Sequence, residues 1–523
     1  MQAARGLDEH IKANSLVVVI PGIGGSVLRE PGANGRGVWT GSYPNVARVL
    51  SDPSRIHDPG KELQPAGVVR TRMRFFGYSP IRGYHDLIKA LADEFETQPD
   101  FGDYARCRDF GQHAHEVSCI DPAARVVAFP YDFRLDCEHN ADQLAEFVQV
   151  RLSALGLGRD KSVIIVAHSM GGIVARAWLA RTGSWPLCRQ LLTLGTPHNG
   201  SPKALEMLVN GAPWWTVSRL PAIREMLRSW PAMYDLLPMY ESIMNEGDPE
   251  PGSAVEKFTH VEFFDQRQLA DPAAAAKARQ AFSRYNFITD RWLANSTEVG
   301  SRHFAGVGRR TYQYATWDGH ALRSKKSRCT WLTRDGIRDR GDGTVPQLSA
   351  IPMELQRNAT TAAGEDWVEV KHSSLPDDAS MIGRVIDSLR NLSPDEGLAG
   401  AYHRRRVRGE VLEIDLDVED AYVFDEDEPA TIGLEFRDRQ TDLSRPPEYR
   451  IYRAGDPSDG QPIDSGAFQP VTNARWTARL SPLPPGEYRL EAGRDPYDTD
   501  PKYASWTEFD VFDPSFAQPA VMQ

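Results

Sequence analysis

The chain has few cysteines and no long apolar run. Its cysteines are odd in number and widely spaced, with no Cys-x-x-Cys pair: Cys107, Cys119, Cys137, Cys188 and Cys329. This usage predicts reduced thiols. No apolar run reaches the roughly 18 residues of a membrane span, and the first 14 residues carry charges that a secretory signal lacks in its core. We therefore expect a cytoplasmic protein.

The chain also lacks an excess of positive charge. Its net charge is −12, with 60 Lys and Arg against 72 Asp and Glu. Nucleic-acid binders need a basic surface for phosphate contacts, so the balance argues against that class. It also gives no overall attraction to anionic membranes. The 41% hydrophobic and 25% charged residues are typical of a globular protein, and 523 residues predict two or three domains.

A serine lies between a predicted strand and a predicted helix. The β-branched run 163–166 precedes the sequence Ala-His-Ser-Met-Gly, and a helical pattern follows at 172–179. So tight a turn needs small residues beside the serine, a need that Ala167 and Gly171–Gly172 meet. Ala167 replaces the first glycine of the Gly-x-Ser-x-Gly pattern. The segment predicts a nucleophile elbow, which presents the hydroxyl of Ser169 at the sheet edge beside the positive end of a helix.

Apolar runs that alternate with helical patterns predict a mostly parallel sheet with helices on both faces. We expect strands at 16–20, 125–129, 163–167 and 190–194, weaker strands at 304–308 and 367–370, and helices at 84–95, 140–155 and 377–392. Residues 201–300 interrupt this alternation and predict a helical cap or lid, with an Ala-rich helix at 273–282. Residues 309–340 are polar and predict loops. Ligands bind at the carboxyl ends of parallel strands, where Ser169 would lie.

The pattern changes to an alternation of period two beyond residue 409. Short runs separated by Pro, Gly and Asp clusters predict a β-sandwich of about 100 residues, immunoglobulin-like in size. We therefore expect an α/β catalytic domain at 1–400 and an all-β sandwich at 405–523. Acidic stretches at 415–428 and 495–500 raise the possibility of calcium, but carboxylates that alternate along a strand usually form a solvated face.

A serine nucleophile needs a base, an acid that orients the base, and donors for the oxyanion. In this architecture the acid and the histidine follow the serine along the chain. Asp342 is flanked by glycines in Gly-Asp-Gly-Thr-Val-Pro, and His372 follows the strand-like run 368–370. They are the candidate acid and base. A turn aspartate and a solvated loop histidine are the alternatives for these two positions.

Other residues compete for the same roles. His198 ends a predicted strand but precedes every late aspartate, so we expect it to line the site or to pack locally. His168 adjoins the serine and should point away from it, which favours a structural role. His320 is expected at the surface. Asp335 and Asp339 lack flanking glycines.

The oxyanion hole needs two backbone N–H groups. Met170, the residue after the serine, should supply one. The other should come from the loop after the first strand, 21–26, with Ile23 as the donor. A glycine-rich loop can also cradle phosphate, but this loop lacks both nucleotide-binding glycine spacings.

Seven motifs stand in one order along the chain. They are PGIGGS at 21–26, FPYDFRL at 129–135, AHSMGG at 167–172, LGTPHNG at 194–200, YDLLP at 234–238, GDGTVP at 341–346 and KHSS at 371–374. Together, over residues 15–392, they resemble the lecithin:cholesterol acyltransferase-like branch of the α/β-hydrolases, which includes phospholipases A and phospholipid:diacylglycerol acyltransferases.

The resemblance implies an α/β-hydrolase fold with Ser169 as nucleophile, Asp342 as acid and His372 as base. It also implies oxyanion N–H groups from Ile23 and Met170.

The insertion would then serve as a lipid-binding lid. Trp214 and Trp215 would contact substrate there, with His198 lining the site. The chain departs from the family pattern in its C-terminal sandwich. It also has a cysteine-free stretch at 38–41, where secreted members carry a disulfide-tied loop.

These observations predict a serine hydrolase that cleaves acyl esters, most of all those of phospholipids or other lipids, without metal or cofactor. Its partners would be the acyl-ester substrate and, through the cap, a transient membrane contact, with no nucleic acid. One alternative is an acyltransferase that moves a fatty acyl chain to an alcohol. Another is an inactive hydrolase frame that binds a partner through the sandwich. A third is a lipase whose activity the sandwich or cap restrains.

Overall fold

The chain folds into two compact units, the larger within residues 1–404 and the smaller mainly from residues 405–523. The computed structural model describes residues 7–31, 36–40, 49, 52–70, 73–75, 78–81, 83–102, 123–158, 160–211, 221–246, 257–266, 271–295, 298–327, 340–352, 367–368, 370–392, 414–418, 431–436, 446–453, 461–470, 475–481, 483–484, 486–493 and 504–511. The predicted boundary at 400–405 lies outside these residues, so it stays a prediction.

A seven-stranded parallel sheet forms the centre of the larger unit. In chain order its strands are β1 Leu16–Ile20, β2 Pro99–Asp100, β3 Val126–Ala128, β4 Val163–His168, β5 Cys188–Leu194, β6 Gly300–Gly306 and β7 Trp367–Val368. Their spatial order is β2-β3-β1-β4-β5-β6-β7. Val18 of β1 pairs with Val127 on one side and with Ile165 on the other. Every residue of β1, β3 and β4 is buried, as continuous apolar runs require.

Helices connect and cover these strands. They are α1 His85–Glu94, α2 Cys137–Leu155 and α3 Met170–Thr182. Asp136 caps α2 by accepting the backbone N–H of His139, and Gly156 ends it in the left-handed conformation. Helix α2 begins three residues before its predicted start at residue 140. The capping residue Asp136 marks this start, whereas the apolar pattern used for the prediction placed it too late.

The insertion after β5 is largely helical. It contains α4 Pro202–Asn210, α5 Pro221–Ser229, α6 Pro231–Asp235, α7 His260–Gln266 and α8 Pro272–Asn295. A four-stranded sheet accompanies them, in the order Lys257–Phe258, Ile243–Asn245, Tyr314–Trp317 and Leu322–Lys325. The last two strands form a hairpin, so the prediction of loops throughout 309–340 was wrong. Polar residues within the hairpin hid it from the apolar pattern, since Thr316 is buried although it is polar.

Shorter elements complete the larger unit. Strands Ser26–Arg29, Gly37–Trp39 and Gln64–Val68 form one small sheet, Met73–Phe75 and Tyr78–Ile81 another, and the short helices are Glu9–Asn14, Ser54–His57, Gln347–Ala350 and the 3-10 turn His372–Ser374. Helix α9, Ala379–Arg390, closes the unit. Arg390 binds Glu94 of α1 at 2.6 Å, which ties the end of the unit to its first half.

The smaller unit contains two four-stranded antiparallel sheets in the described residues. One has the order Ile414–Val418, Thr431–Phe436, Arg475–Arg479, Gln469–Pro470, and the other Asp464–Ala467, Glu448–Arg453, Gly486–Gly493, Ala504–Val511. The Tyr449 hydroxyl of the second sheet donates to the Arg479 carbonyl of the first at 3.3 Å. The immunoglobulin-like arrangement of these sheets stays a prediction.

The parallel sheet, the flanking helices and the helical insertion confirm the α/β-hydrolase fold class predicted for the first part of the chain. The two cysteines that the structure describes, Cys137 and Cys188, are buried and unpaired. Among the helices described, none has both the length and the apolar content needed to cross a membrane.

Candidate active site

Ser169 stands at the sharp turn between β4 and α3. Its backbone has φ +52° and ψ −127°, a conformation that costs free energy in a residue with a side chain. Small neighbours make the turn possible. A Cβ on Gly171 would lie 2.6 Å from the carbonyl oxygens of both Ile20 and Pro21, and one on Gly172 would lie 2.0 Å from the Thr196 hydroxyl. The predicted elbow geometry is present.

The ring of His372 lies between Ser169 and Asp342. Its Nε2 is 2.9 Å from the Ser169 Oγ, and its Nδ1 is 2.7 Å from the Asp342 Oδ2. A carboxylate only accepts, so Nδ1 carries the ring proton and Nε2 is left to accept from the serine hydroxyl. All three side chains are buried. The structure thus brings the three predicted residues together, although 203 positions separate the serine from the histidine.

The loop that carries Asp342 holds its carboxylate in one orientation. Oδ1 accepts the backbone N–H groups of Thr344 at 2.9 Å and Val345 at 2.7 Å, which leaves Oδ2 for His372. In the loop after β5, the Ser201 hydroxyl donates to the Thr344 carbonyl of this loop. The Asn199 side-chain amide donates to the carbonyls of Leu348, in the short helix after the loop, and of Ile351, directly after that helix. These contacts give Asn199 and Ser201 a role that the sequence prediction missed.

The glycine-rich loop after β1 faces the elbow. Three side chains hold it: the Tyr131 hydroxyl donates to the Pro21 carbonyl at 2.8 Å, Trp39 Nε1 donates to the Gly24 carbonyl at 2.8 Å, and the Tyr84 hydroxyl accepts the Gly22 N–H at 2.8 Å. In the part of the chain that the structure describes, the predicted oxyanion donors, the N–H groups of Ile23 and Met170, have no hydrogen-bond acceptor in the protein. They are therefore available to a ligand.

Both ring nitrogens of His168 bond to groups other than the serine, in keeping with the structural role predicted for it. Its Nδ1 lies 2.8 Å from the Tyr84 hydroxyl and its Nε2 lies 3.0 Å from the His372 carbonyl. Burial, helped by the neighbouring His372, lowers the pKa of His168 to about 3. Burial also raises the pKa of the Tyr84 hydroxyl, so both groups are neutral at pH 7.

His198 belongs to a different polar cluster. Its Nδ1 is 3.1 Å from Arg176 Nη1, and its Nε2 is 3.2 Å from the Thr193 hydroxyl, which is itself 2.8 Å from His303 Nδ1. Burial, together with the neighbouring His303 and Arg176, lowers the pKa of His198 well below its usual value. Because both ring nitrogens have partners in this cluster, local packing explains His198. Its contact with substrate stays a prediction.

A cavity lies beside α3 and the cap helix α8. Its polar lining includes Arg176, His198, Tyr285 and the buried ion pair of Asp235 with Arg284, in which Oδ1 and Nη2 are 2.6 Å apart. Ser169, His372 and Asp342 are not among the residues that line this cavity.

Of the remaining candidates, only His320 lies among the described residues. His320 is exposed in the turn of a hairpin, as predicted. Asp335, Asp339, Trp214 and Trp215 lie outside the described residues. The acidic stretches considered for calcium lie there too, or have only their backbone described. Among the described side chains, no three His, Cys, Asp or Glu are grouped so as to hold a metal ion.

Residues 112–274 match the family model described as lecithin:cholesterol acyltransferase. The resemblance predicted from the motifs is confirmed over this segment, which contains Ser169 and Met170, whereas Asp342 and His372 follow it. This match supports an enzyme that hydrolyses or transfers acyl groups of lipid esters. No curated protein matches the chain in sequence.

Solved structures resemble the chain at low identity. The Tle4–Tli4 complex has a matching chain with 14% identity and a TM-score of 0.44, over 72% of this chain and 99% of the other. The lin2722 gene product of Listeria innocua matches with 12% identity and a TM-score of 0.30, over 73% and 97%. Bacillus licheniformis lipase BlEst2 in its propeptide form matches with 11% identity and a TM-score of 0.35, over 92% and 90%. The fold assignment rests on the parallel sheet itself.

Proposed function

We propose that the chain is a serine hydrolase that cleaves acyl esters of lipids through an acyl-enzyme. The observation that carries the proposal is the buried series Ser169 Oγ, His372, Asp342, with separations of 2.9 Å and 2.7 Å. Such a series supplies a nucleophile, a base and the group that orients the base.

In the first step His372 Nε2 takes the proton of the Ser169 hydroxyl while Oγ attacks the ester carbonyl carbon. Asp342 keeps the ring in the tautomer with the proton on Nδ1 and stabilises the imidazolium that forms. The N–H groups of Ile23 and Met170 donate to the developing oxyanion. His372 then returns the proton to the leaving alkoxide, and the alcohol departs.

In the second step a water molecule replaces the alcohol. His372 removes a proton from the water, which attacks the acyl carbonyl, and the collapse of the second tetrahedral intermediate returns the proton to Ser169. The acid product is then released. The same acyl-enzyme transfers its acyl group to an alcohol where such an acceptor replaces the water.

A lipid as the acyl donor is favoured by the family match over 112–274 and by the cap that follows β5. A cap gives an acyl chain apolar surface beside a sheet-edge site. Substrate contact through Trp214 and Trp215 stays a prediction, as do the transient membrane contact through the cap and the cytoplasmic location.

A fluorophosphonate probe tests the nucleophile directly. We expect the purified chain to be labelled stoichiometrically and the Ser169→Ala variant not at all. Ser153→Ala is the matched control, because Ser153 is exposed on α2 and should be labelled like the native chain. Persistent labelling of Ser169→Ala would rule out the proposed nucleophile. A panel of lipid classes, run with the same three proteins, then identifies the acyl donor.

Acyl transfer is distinguished by its products. If the chain is a hydrolase, we expect free fatty acid as the main product even when a long-chain alcohol is present. A predominance of the new ester, dependent on Ser169, would assign the chain to the acyltransferases instead.

A further inference from the structure

A continuous series of hydrogen bonds joins the oxyanion loop to the backbone of His372. The Gly22 N–H bonds to the Tyr84 hydroxyl at 2.8 Å, that hydroxyl bonds to His168 Nδ1 at 2.8 Å, and His168 Nε2 bonds to the His372 carbonyl at 3.0 Å. Every one of these groups is buried. The residues come from the loop after β1, the start of α1, the end of β4 and the turn before α9.

The two ends of the series fix where each proton lies. The His372 carbonyl can only accept, so His168 Nε2 carries the ring proton. A neutral ring then has no proton on Nδ1, which must accept from the Tyr84 hydroxyl. That hydroxyl uses its single proton in this way and accepts the Gly22 N–H with its oxygen. Every donor in the series therefore has one acceptor.

We propose that Tyr84 and His168 are positioning residues, which hold the oxyanion loop and His372 at a fixed separation. The inference rests on the proposed function, since it assigns both ends of the series to the reaction. Gly22 precedes Ile23, the proposed oxyanion donor, and the His372 carbonyl belongs to the residue proposed to move the proton. A rigid link matters because donors aimed at the transition state lose much of their effect when displaced.

A matched set of variants distinguishes the effect of this link between the loop and His372 from the effect of a hydrogen bond that only holds the loop. Tyr84→Phe and His168→Phe each keep a ring and break the series. Tyr131→Phe is the control, because the Tyr131 hydroxyl holds the same loop at Pro21 but makes no contact with His168 or His372 in the described structure. His168→Gln is the conservative replacement, since its amide offers one donor and one acceptor.

We expect Tyr84→Phe and His168→Phe each to lower kcat for ester hydrolysis by about tenfold to a hundredfold. KM should change little, since the series makes no contact with the ground-state substrate. Because the two residues act in series, the double variant should be no slower than the slower single variant. Tyr131→Phe combined with His168→Phe should instead multiply the two separate effects. His168→Gln should recover part of the lost kcat.

Multiplied losses for Tyr84→Phe with His168→Phe, or unchanged kcat in either single variant, would overturn the link. Circular dichroism and the Tm show that each variant is folded, and His168→Gln carries the test if His168→Phe does not fold. Absence of Ser169-dependent turnover in the native chain would instead overturn the proposed function itself. The two failures are thus distinguishable.

Discussion

His372 is bonded to Asp342 twice. Its backbone N–H donates to the Asp342 carbonyl at 3.0 Å, and its ring Nδ1 donates to the Asp342 carboxylate at 2.7 Å. The backbone contact fixes the position of the His372 main chain, and the carboxylate contact fixes the orientation of its ring. The two contacts therefore hold together two loops of the site whose bonded residues are 30 positions apart in the chain.

Asp342→Asn should lower kcat by about a thousandfold or more, with little change in fold. The amide keeps an acceptor for the N–H groups of Thr344 and Val345 but presents NH₂ to His372. This favours the wrong ring tautomer. Asp142→Asn, on the half-exposed face of α2, is the control and should retain native turnover. Steady-state kinetics on a soluble ester would contradict the acid role if both variants behaved alike.

Gly171→Ala should destabilise the fold by about 1–3 kcal/mol and abolish labelling of Ser169, because the new Cβ meets two backbone oxygens at 2.6 Å. Gly383→Ala provides the opposite case within α9, where an added Cβ meets nothing within 4 Å. That change should stabilise by about 0.5–1 kcal/mol, since alanine favours helix. Urea unfolding of both variants checks the contrast. Equal changes in the free energy of unfolding would show that the elbow has room for a Cβ at position 171.

Arg284→Met should cost about 3–5 kcal/mol of folding free energy, because it leaves the Asp235 carboxylate buried without its positively charged partner. The two side chains are only 9% and 3% exposed. Arg181→Met removes a pairing with Glu138 and Asp142, in which the side chains are 32%, 35% and 51% exposed. That loss should stay below about 1 kcal/mol. Chemical denaturation measures the free energy of unfolding of both variants. Similar losses of stability would contradict the larger effect expected for the buried ion pair.

Stability should fall as the pH drops below about 6.5. Burial lowers the pKa of His168 and His303 to about 3 and that of His260 to about 4, so these rings stay neutral in the folded chain. The unfolded chain binds protons at its ordinary histidine pKa. Stability is therefore complete above that pKa and is lost as the pH falls toward the folded values.

Each buried histidine should contribute a slope of at most about 1.4 kcal/mol per pH unit in this window. Urea unfolding at several pH values between 7 and 4.5 gives the total slope. His260→Gln should reduce it by one histidine's share, whereas His320→Gln, at an exposed position, should leave it unchanged. A slope that His260→Gln does not alter would show that this ring is not held neutral.

Continuous apolar runs made the inner strands predictable. The prediction for 16–20 coincides with β1, and that for 163–167 differs from β4 by one residue, because these strands are buried on both faces. The strand expected at 304–308 instead covers Gly300–Gly306. Its first half, Ser301-Arg302-His303, is polar because Arg302 donates to the Ser388 hydroxyl and His303 shares a hydrogen bond with the Thr193 hydroxyl. Tertiary partners, which periodicity does not register, decided that boundary.

The placement of Ser169, Asp342 and His372 could be anticipated because each follows a recognisable strand or loop motif. Tyr84 could not, since it stands at an ordinary helix start and its role depends on a contact with His168, 84 positions away. Asn199 lay within a noted motif, but its bonds to the Leu348 and Ile351 carbonyls join segments about 150 positions apart. Patterns in a single sequence report local periodicity and motif spacing. Contacts between segments so far apart leave no such pattern.

The site is assembled from very distant parts of the chain. Separations of 62, 84, 204 and 203 positions divide the pairs Gly22–Tyr84, Tyr84–His168, His168–His372 and Ser169–His372. Contacts between positions so far apart form slowly, because the entropy of closing the intervening chain opposes them. Turnover would therefore return last when the denatured chain refolds, after helix content has recovered. An ester assay would thus time the arrival of His372 at the sheet edge and report the completion of folding more faithfully than a spectroscopic signal from the helices.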